Sequence, residues 1–147
     1  MRYLGLDLGS RTLGVAVSDK TGMIASSYKT IRHNEDYEEL LYEVRSLVNE
    51  LEVDAIVLGF PKNMNNTIGP KGELSLDFKT KLENMLSIPI ILQDERLTTK
   101  SANDMLIDGN VSRKNRKKVV DSMAASIILQ TYLDRRNNKW KRIVLQW

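Results

Sequence analysis

The sequence predicts an α/β fold: a five-stranded mixed sheet in the order 3-2-1-4-5, with helices packed on its faces. Three strand-like segments joined by short turns open the chain, and two later apolar segments alternate with helical patterns. Crossovers between parallel strands are right-handed almost without exception, so the later strands are expected to join the same sheet beside strand 1. We expect a single domain over residues 1–147, with a C-terminal tail at 136–147.

The first three predicted strands form a meander, in which short turns connect sequential strands. They are residues 2–8, 13–19 and 23–32. A Gly-Ser-Arg-Thr turn joins the first pair, and Lys-Thr-Gly joins the second. Side chains alternate between the two faces of a strand, so Tyr3, Gly5 and Asp7 are expected to share one face of strand 1.

The hydrophobic period then changes from two to about 3.6, which indicates an amphipathic helix over residues 36–52. Asp36 and Glu39 have the spacing of a capping box, with Asp in place of Ser or Thr. Residues 54–60 form a continuous apolar run that ends before a proline. A run of this kind is typical of a strand buried on both faces.

The second half of the chain continues the alternation of helices and strands. Its predicted elements are a polar loop at 61–72, a helix with apolar positions from Leu74 to Leu86, a strand at 88–92, a short helix that stops at Gly109, a basic loop at 112–118 and a helix at about 117–136. Thr98 or Thr99 can cap the short helix. Both later strands are therefore expected to run parallel to strand 1.

Composition excludes several classes of protein. The chain is 41% hydrophobic and 28% charged, which is ordinary for a globular protein. It has no cysteine, so disulfides, thiol nucleophiles and thiolate metal sites are excluded. No apolar run reaches the roughly 18 residues of a membrane span. We also find no secretory signal, so a cytoplasmic location is expected.

The charge is distributed unevenly along the chain. The net charge is +3, but residues 96–147 carry 12 Lys or Arg and 4 Asp or Glu, whereas residues 1–95 carry 10 and 15. A basic C-terminal third indicates a polyanionic partner, although a solvated basic helix and tail would give the same count.

Three carboxylates occupy positions where a charge is costly to desolvate. Asp7 lies in the first strand, which is expected to be central, and Glu95 follows the fifth strand. Asp121 lies on the helix face predicted to dock on the sheet. Each has a structural alternative: a hydrogen bond to the next turn for Asp7, an ion pair with Arg96 or a cap of the next helix for Glu95, and a bond to a buried hydroxyl or lysine for Asp121. We nevertheless predict that the three converge.

Three converging carboxylates would need protonation or a cation, because two of them about 5 Å apart repel by roughly 3 kcal/mol at an effective dielectric constant of 20. Oxygen ligands without His or Cys favour Mg²⁺ or Mn²⁺ over zinc. Divalent ions held by carboxylates suit phosphodiester hydrolysis. We therefore predict Asp7, Glu95 and Asp121 as both the catalytic and the metal-binding residues.

Cationic and amide side chains near these acids are predicted to hold the backbone of a nucleic acid. They are Arg11, Asn63, Asn65, Arg96, Arg113, Lys114, Arg116, Lys117 and Lys118. Residues 113–118 alone carry five positive charges, although a solvated loop is the alternative there. His33 is the only histidine, and a structural role is favoured over a proton shuttle.

Four ordered motifs carry a resemblance to a known family. "LGLDLGSRTLGVAVSD", "LGFPKNMNNTIGP", "DERLTT" and "KKVVDSMAASIILQTYL" resemble the YqgF family of bacterial RNase H-like proteins. Its members are described as Holliday junction resolvases and as nucleases that mature the 5′ end of pre-16S rRNA. The resemblance covers residues 2–136 and implies an RNase H-like fold, and the family's catalytic acids fall on Asp7, Glu95 and Asp121. Thr12 and Asn66 depart from the family pattern but leave the acids unchanged.

The resemblance implies a hydrolase that acts on ester bonds, a divalent-metal nuclease with a role in ribosome biogenesis. Structured RNA, with 5′-end maturation of pre-16S rRNA, is the main expectation, and branched DNA cut by a Holliday junction resolvase is the alternative. A non-catalytic module that binds nucleic acid or a nucleotide is a third. Nucleotide binding is considered because "DLGSRTLGVAVSD" also resembles the phosphate-binding hairpin of actin-like and sugar-kinase ATPases. Expected partners are nucleic acid and ribosomal precursor particles, with no membrane, for a monomer or weak homodimer.

Overall fold

The computed structural model describes residues 1–61, 65, 67–94 and 123–138, and five strands within them form one sheet. The strands are β1 (Tyr3–Leu8), β2 (Thr12–Ser18), β3 (Ala25–Arg32), β4 (Ala55–Phe60) and β5 (Ile90–Asp94). Their order in the sheet is β3-β2-β1-β4-β5, as the sequence predicts. β2 pairs antiparallel with β1 and β3, whereas β1, β4 and β5 are parallel. The carboxyl ends of these three parallel strands therefore lie at one edge of the sheet.

Among the described residues, three helices pack on this sheet: α1 (Tyr37–Glu50), α2 (Pro70–Met85) and α3, which spans residues 123–138. The Asp36 side chain caps α1 by accepting a hydrogen bond of 3.2 Å from the backbone N–H of Glu39. Pro70 occupies the first turn of α2, where its missing N–H costs nothing. No helix within the described ranges is long and apolar enough to cross a membrane.

Two apolar layers lie on opposite faces of the sheet. On one face, Leu4 and Leu6 of β1 pack with the buried sides of α1 and α2. On the other face, Tyr3 of β1 packs with the buried residues of α3. The predicted alternation of side chains along β1 is therefore confirmed. Asp7 is four positions after Tyr3, so it lies on the same face of the sheet, the face on which α3 packs.

Most observed boundaries differ from the predicted ones by one or two residues, and two of the differences have an identifiable backbone cause. β5 was expected at 88–92 but begins at Ile90, because Pro89 has no N–H to donate and joins the sheet through its carbonyl, which accepts from Ile56 at 2.9 Å. The loop predicted at 61–72 is shorter, because α2 already begins at Pro70. Gly72 lies in its first turn, where a Cβ atom would come within 3.1 Å of the Pro61 carbonyl oxygen.

The turn between β2 and β3 is held by one carboxylate. Asp19 accepts hydrogen bonds from the Thr21 hydroxyl and from the N–H groups of Met23 and Ile24, the last two at 2.9 and 3.0 Å. The Thr21 hydroxyl, followed by these amides, holds the pKa of Asp19 well below its usual value. The contribution of Asp19 to stability is therefore present above the unfolded-state pKa of 3.8 and is lost as the pH falls below it.

Replacing this carboxylate should make folding less sensitive to acid. Asp19→Asn is expected to lower the melting temperature at neutral pH and to flatten the loss of stability between about pH 5 and pH 3, because the titrating group is gone. Thr21→Val keeps the carboxylate but removes its strongest partner, and is expected to have a smaller effect in the same direction. Urea unfolding across this pH range measures both, and an Asp19→Asn profile parallel to that of the parent would contradict the prediction.

Candidate active site

Asp7 is the one predicted catalytic acid that lies within the described residues. It is half-buried near the carboxyl end of β1, the central strand of the sheet. Two strands parallel to β1 end at the same edge, and ligands of open α/β sheets collect at the carboxyl ends of strands. This carboxylate therefore lies where the fold favours a binding site.

Glycines lie beside Asp7 on both neighbouring strands. Its partner on β2 is Gly14. On β4, Leu58 is paired with Leu6, so the next residue, Gly59, lies level with Asp7. Because neither neighbour carries a side chain, the surface on either side of the Asp7 carboxylate is not filled by its own sheet.

The direction of α3 is set by a close contact with β1. A Cβ atom on Gly5 would lie 2.8 Å from Cβ of Leu129 and 3.1 Å from the carbonyl oxygen of Ala125. Further along the helix, the rings of Tyr132 and Tyr3 have centroids 5.7 Å apart. Since α3 passes Gly5 first and Tyr3 later, it runs antiparallel to β1, and its N-terminal end points toward Asp7. The absence of a side chain at Gly5 is what lets α3 approach β1 this closely.

The docking face predicted for α3 is confirmed for its described residues: Ala124, Ala125 and Ile128 are buried. Burial also raises the pKa of Tyr132, which is half-buried against the sheet. Gln130 joins α3 to the start of β3: its Oε1 accepts from the N–H of Ala25 at 2.8 Å, and its Nε2 donates to the Met23 carbonyl at 3.0 Å.

Gln93 is a polar residue near this edge that was not predicted from the sequence. It is buried on β5 and in register with Gly59 of β4, on the same face as Ile91 and α3. Its side-chain amide donates to the Asp94 carbonyl at 3.3 Å. One feature of the sequence could have indicated it: a glutamine at a position of an apolar strand whose side chain is expected to be buried, two residues before Glu95.

The β1–β2 turn lies at the same edge and carries Arg11, whose side chain is exposed. The His33 N–H donates to the Arg11 carbonyl at 2.9 Å, and Nε2 of His33 lies 3.0 Å from the Gly9 carbonyl oxygen. Nδ1 of the same ring accepts from the N–H of Glu35 at 3.1 Å. Both ring nitrogens are thus committed to backbone groups, which agrees with the structural role favoured for His33.

Of the other predicted site residues, only Asn65 lies within the described part of the chain. It is exposed, and its side-chain oxygen accepts hydrogen bonds from the hydroxyl and the N–H of Thr67, at 2.6 and 3.2 Å. The remaining predicted residues lie outside the described ranges: Glu95, Asp121, Asn63, Arg96, Arg113, Lys114, Arg116, Lys117 and Lys118. The convergence of the three acids therefore stays a prediction.

Comparison with known proteins identifies the family. The family model described as "RuvX: Holliday junction resolvase" matches residues 1–135. This chain belongs to the RuvX family. Its relatives include a protein of Geobacillus sp. strain WCH70, 56% identical over 135 residues and covering 91% of this chain and 98% of the relative. A Bacillus subtilis protein is 54% identical over 140 residues, 93% of this chain and 100% of the relative. Both are named "Putative pre-16S rRNA nuclease".

Comparison with solved structures supports the fold described above. Thermus thermophilus RuvC in complex with a Holliday junction matches with a TM-score of 0.59 at 14% identity, over 94% of this chain and 96% of that one. Fowlpox virus resolvase with Holliday junction DNA matches with a TM-score of 0.57 at 14% identity, over 92% and 98%. At this identity the likeness concerns the fold alone. The predicted family, RNase H-like fold and nuclease class are confirmed, and nucleic acid is the class of substrate.

Proposed function

We propose that this RuvX protein is a divalent-metal-dependent endonuclease that hydrolyses phosphodiester bonds in structured RNA, with 5′-end maturation of pre-16S rRNA as its reaction. The observation that carries the proposal is the half-buried Asp7 between two glycines, at the edge where three parallel strands end. The names of the bacterial relatives favour pre-16S rRNA as the substrate. The bacterial cytoplasm and ribosomal precursor particles then follow as its proposed location and partner.

Covalent geometry supports a site that includes Glu95. Consecutive Cα atoms are about 3.8 Å apart, so position 95 starts within that distance of Asp94, the last residue of β5. Asp94 is in register with Phe60, one residue beyond Gly59 on β4. Neighbouring strands lie about 4.8 Å apart, so the end of β5 is roughly 10 Å from β1.

The direction of α3 supports the inclusion of Asp121 in the same way. Position 121 precedes Met123 by two residues, which limits their Cα separation to about 7 Å in any conformation. Met123 is the first described residue of α3 and lies at the end of the helix that points toward Asp7. Position 121 is four positions before Ala125 in the sequence, and Asp7 is two positions after Gly5, the strand residue that Ala125 contacts.

The residues proposed for the site fit a hard divalent cation. Asp7, Glu95 and Asp121 offer carboxylate oxygens, and the described residues beside Asp7 bring neither His nor Cys to the α3 face. Oxygen ligands of this kind suit Mg²⁺ or Mn²⁺, and Gly14 and Gly59 add no side chain of the neighbouring strands beside the Asp7 carboxylate. When bound, the ion supplies Lewis-acid activation of the phosphodiester and of water.

The chain's own residues would bind and orient the substrate. Arg11 lies on the turn directly after β1, where its guanidinium is exposed at the Asp7 edge and suits a phosphate oxygen. We propose the same role for Asn63, Asn65 and Arg96. Further along the chain, the basic residues 113–118 supply sequence-independent attraction to the nucleic-acid backbone.

Cleavage of branched DNA is the second candidate, favoured by the family description as a Holliday junction resolvase. Purified protein should be incubated in parallel with a precursor transcript carrying the 16S 5′ leader and with a four-way DNA junction, each with Mn²⁺ or Mg²⁺. Cutting of the transcript at the mature end supports the first function, whereas paired symmetric cuts in the junction support the second. Sequencing of rRNA 5′ ends after depletion of the protein decides which reaction occurs in the cell.

The basic segment should contribute to affinity and not to catalysis. Replacing Lys114, Arg116 and Lys117 with Ala is expected to weaken RNA binding and to reduce the salt slope of log K by about 0.7–0.9 for each phosphate that is no longer neutralised. The turnover of bound substrate should be retained. A filter-binding titration across salt concentrations measures the slope, and a slope equal to that of the parent would remove the segment from the interface.

A further inference from the structure

We propose that Gln130 is a positioning residue for the nuclease. Its side-chain amide ties α3 to the outer edge of the sheet and thereby sets the angle at which α3 approaches Asp7. This inference rests on the proposed function, in which position 121 acts from the end of α3 that points toward Asp7. It assigns a part in the reaction to a side chain nine positions further along the chain.

The Gln130 amide binds two backbone groups at the start of β3. Its Oε1 accepts from the Ala25 N–H at 2.8 Å, and its Nε2 donates to the Met23 carbonyl at 3.0 Å. Between them, the Ile24 carbonyl accepts from the Asp19 N–H at 3.1 Å, on the β2 side. Bonded and non-bonded pairs alternate along antiparallel strands, so the Ala25 N–H points away from β2. Gln130 therefore binds the outer side of β3, the last strand of the sheet.

Two contacts hold α3 at points that lie far apart across the strands. One is the close approach of Ala125 and Leu129 to Gly5 on β1. The other is the link from Gln130 to β3, two strands away, which is about 10 Å. Apolar contacts are non-directional, so a helix seated only through them could turn in the plane of the sheet. Hydrogen bonds to one side of that seat are directional and oppose the turn.

A small rotation of α3 is enough to disturb the site. At a rise of 1.5 Å per residue, Met123 lies about 6 Å along the helix from the middle of the Ala125–Leu129 contact. A rotation of roughly 10° about that contact therefore moves Met123 by about 1 Å and carries position 121 with it. Misplacement by about 1 Å can cost 100-fold in rate. The reaction is therefore more sensitive to the Gln130 link than folding is.

Further side chains hold both ends of the link. On α3, Asp134 accepts from Nε2 of Gln130 at 2.9 Å, which fixes the orientation of the amide. Asn137 donates to the Gly22 carbonyl at 3.4 Å, in the turn that leads to β3. The Asp19 carboxylate holds the same turn through the contacts described above. The link therefore ends on a turn that is itself held in place.

Single-turnover cleavage at saturating RNA separates positioning from stability. Gln130→Met keeps the length of the side chain but forms neither backbone bond, so its cleavage rate is expected to fall about 10-fold, with RNA affinity unchanged. Thr131→Val is the matched control, because that hydroxyl bonds only to the Ile127 carbonyl of the same helix, at 2.7 Å. Rates are measured well below each melting temperature, with circular dichroism to verify folding. If Gln130→Met cleaves as fast as Thr131→Val, the positioning role is wrong.

Amide chemical shifts test the coupling without cleavage. In Gln130→Met, the N–H signals of Ala124 and Asp7 are expected to shift, because α3 turns at the end near that carboxylate. In Thr131→Val both signals should stay in place. Changes confined to Ala25 and to the neighbours of position 130 would show that the link acts only locally, and would overturn the inference. Shifts at Asp7 without metal-dependent cleavage by the parent would instead overturn the proposed function and leave the coupling in place.

Discussion

Asp7→Asn is expected to reduce metal-dependent cleavage by at least about 100-fold while the protein stays folded. The substitution keeps the size of the side chain but removes the charge that would hold the cation at the carboxyl edge of β1. Asp7 is only half-buried, so the fold does not depend on this carboxylate in the way it depends on Leu4 or Leu6, which are fully buried. Single-turnover cleavage of the preferred nucleic acid, measured with Mn²⁺ and with Mg²⁺, gives the effect.

A thermal shift separates loss of the metal site from loss of the fold. A ligand that binds only the folded state raises the apparent stability, so the melting temperature of the parent should rise with Mn²⁺ concentration. Asp7→Asn should melt near the parent without metal and show little of this rise. Glu43→Gln removes an exposed carboxylate on α1 and should retain both the rise and the cleavage. Undiminished turnover in Asp7→Asn would take away the proposed reaction centre.

The order of the sheet could be predicted because each step depended on local pattern and general topology. Short turns specify an antiparallel meander, and right-handed crossovers through α1 and α2 bring β4 and β5 to the side of β1. The ends of individual strands and helices were harder to predict, because they depend on single backbone groups. At β5, the missing N–H of Pro89 shifted the strand, and at α2, Pro70 could begin a helix inside a segment that looked like loop.

The candidate site was predictable only where a side chain conflicted with its surroundings. Asp7 was found because a carboxylate in a central strand is costly. Gln93 and Gln130 gave weaker signals, since an uncharged amide is tolerated on a strand or a helix surface. The partners of Gln130 also lie 105 and 107 positions away in the sequence. The positions of Gly14 and Gly59 beside Asp7 could not be predicted, because they depend on the pairing register of the strands, which the sequence alone does not give.

The contact between Gly5 and α3 should be the most sensitive packing position of the candidate site. In Gly5→Ala the new Cβ would meet Cβ of Leu129 at 2.8 Å and the Ala125 carbonyl oxygen at 3.1 Å, and neither atom is the end of a flexible side chain. The helix must therefore move away from β1. Gly5→Val adds two methyl groups to the same clash, and overpacking of this kind costs about 1–3 kcal/mol.

We expect Gly5→Val to lower the melting temperature by roughly 3–10 °C for a chain of this size, with Gly5→Ala between it and the parent. Cleavage by the folded fraction should fall as well, because a displaced α3 carries position 121 away from Asp7. Ser26→Val puts the same side chain on the exposed edge strand β3 and should melt with the parent. Calorimetry and single-turnover kinetics on the four proteins measure both effects. If Gly5→Val loses stability but keeps full turnover, then the seating of α3 on β1 does not position the catalytic acids, and Asp121 must be reassigned.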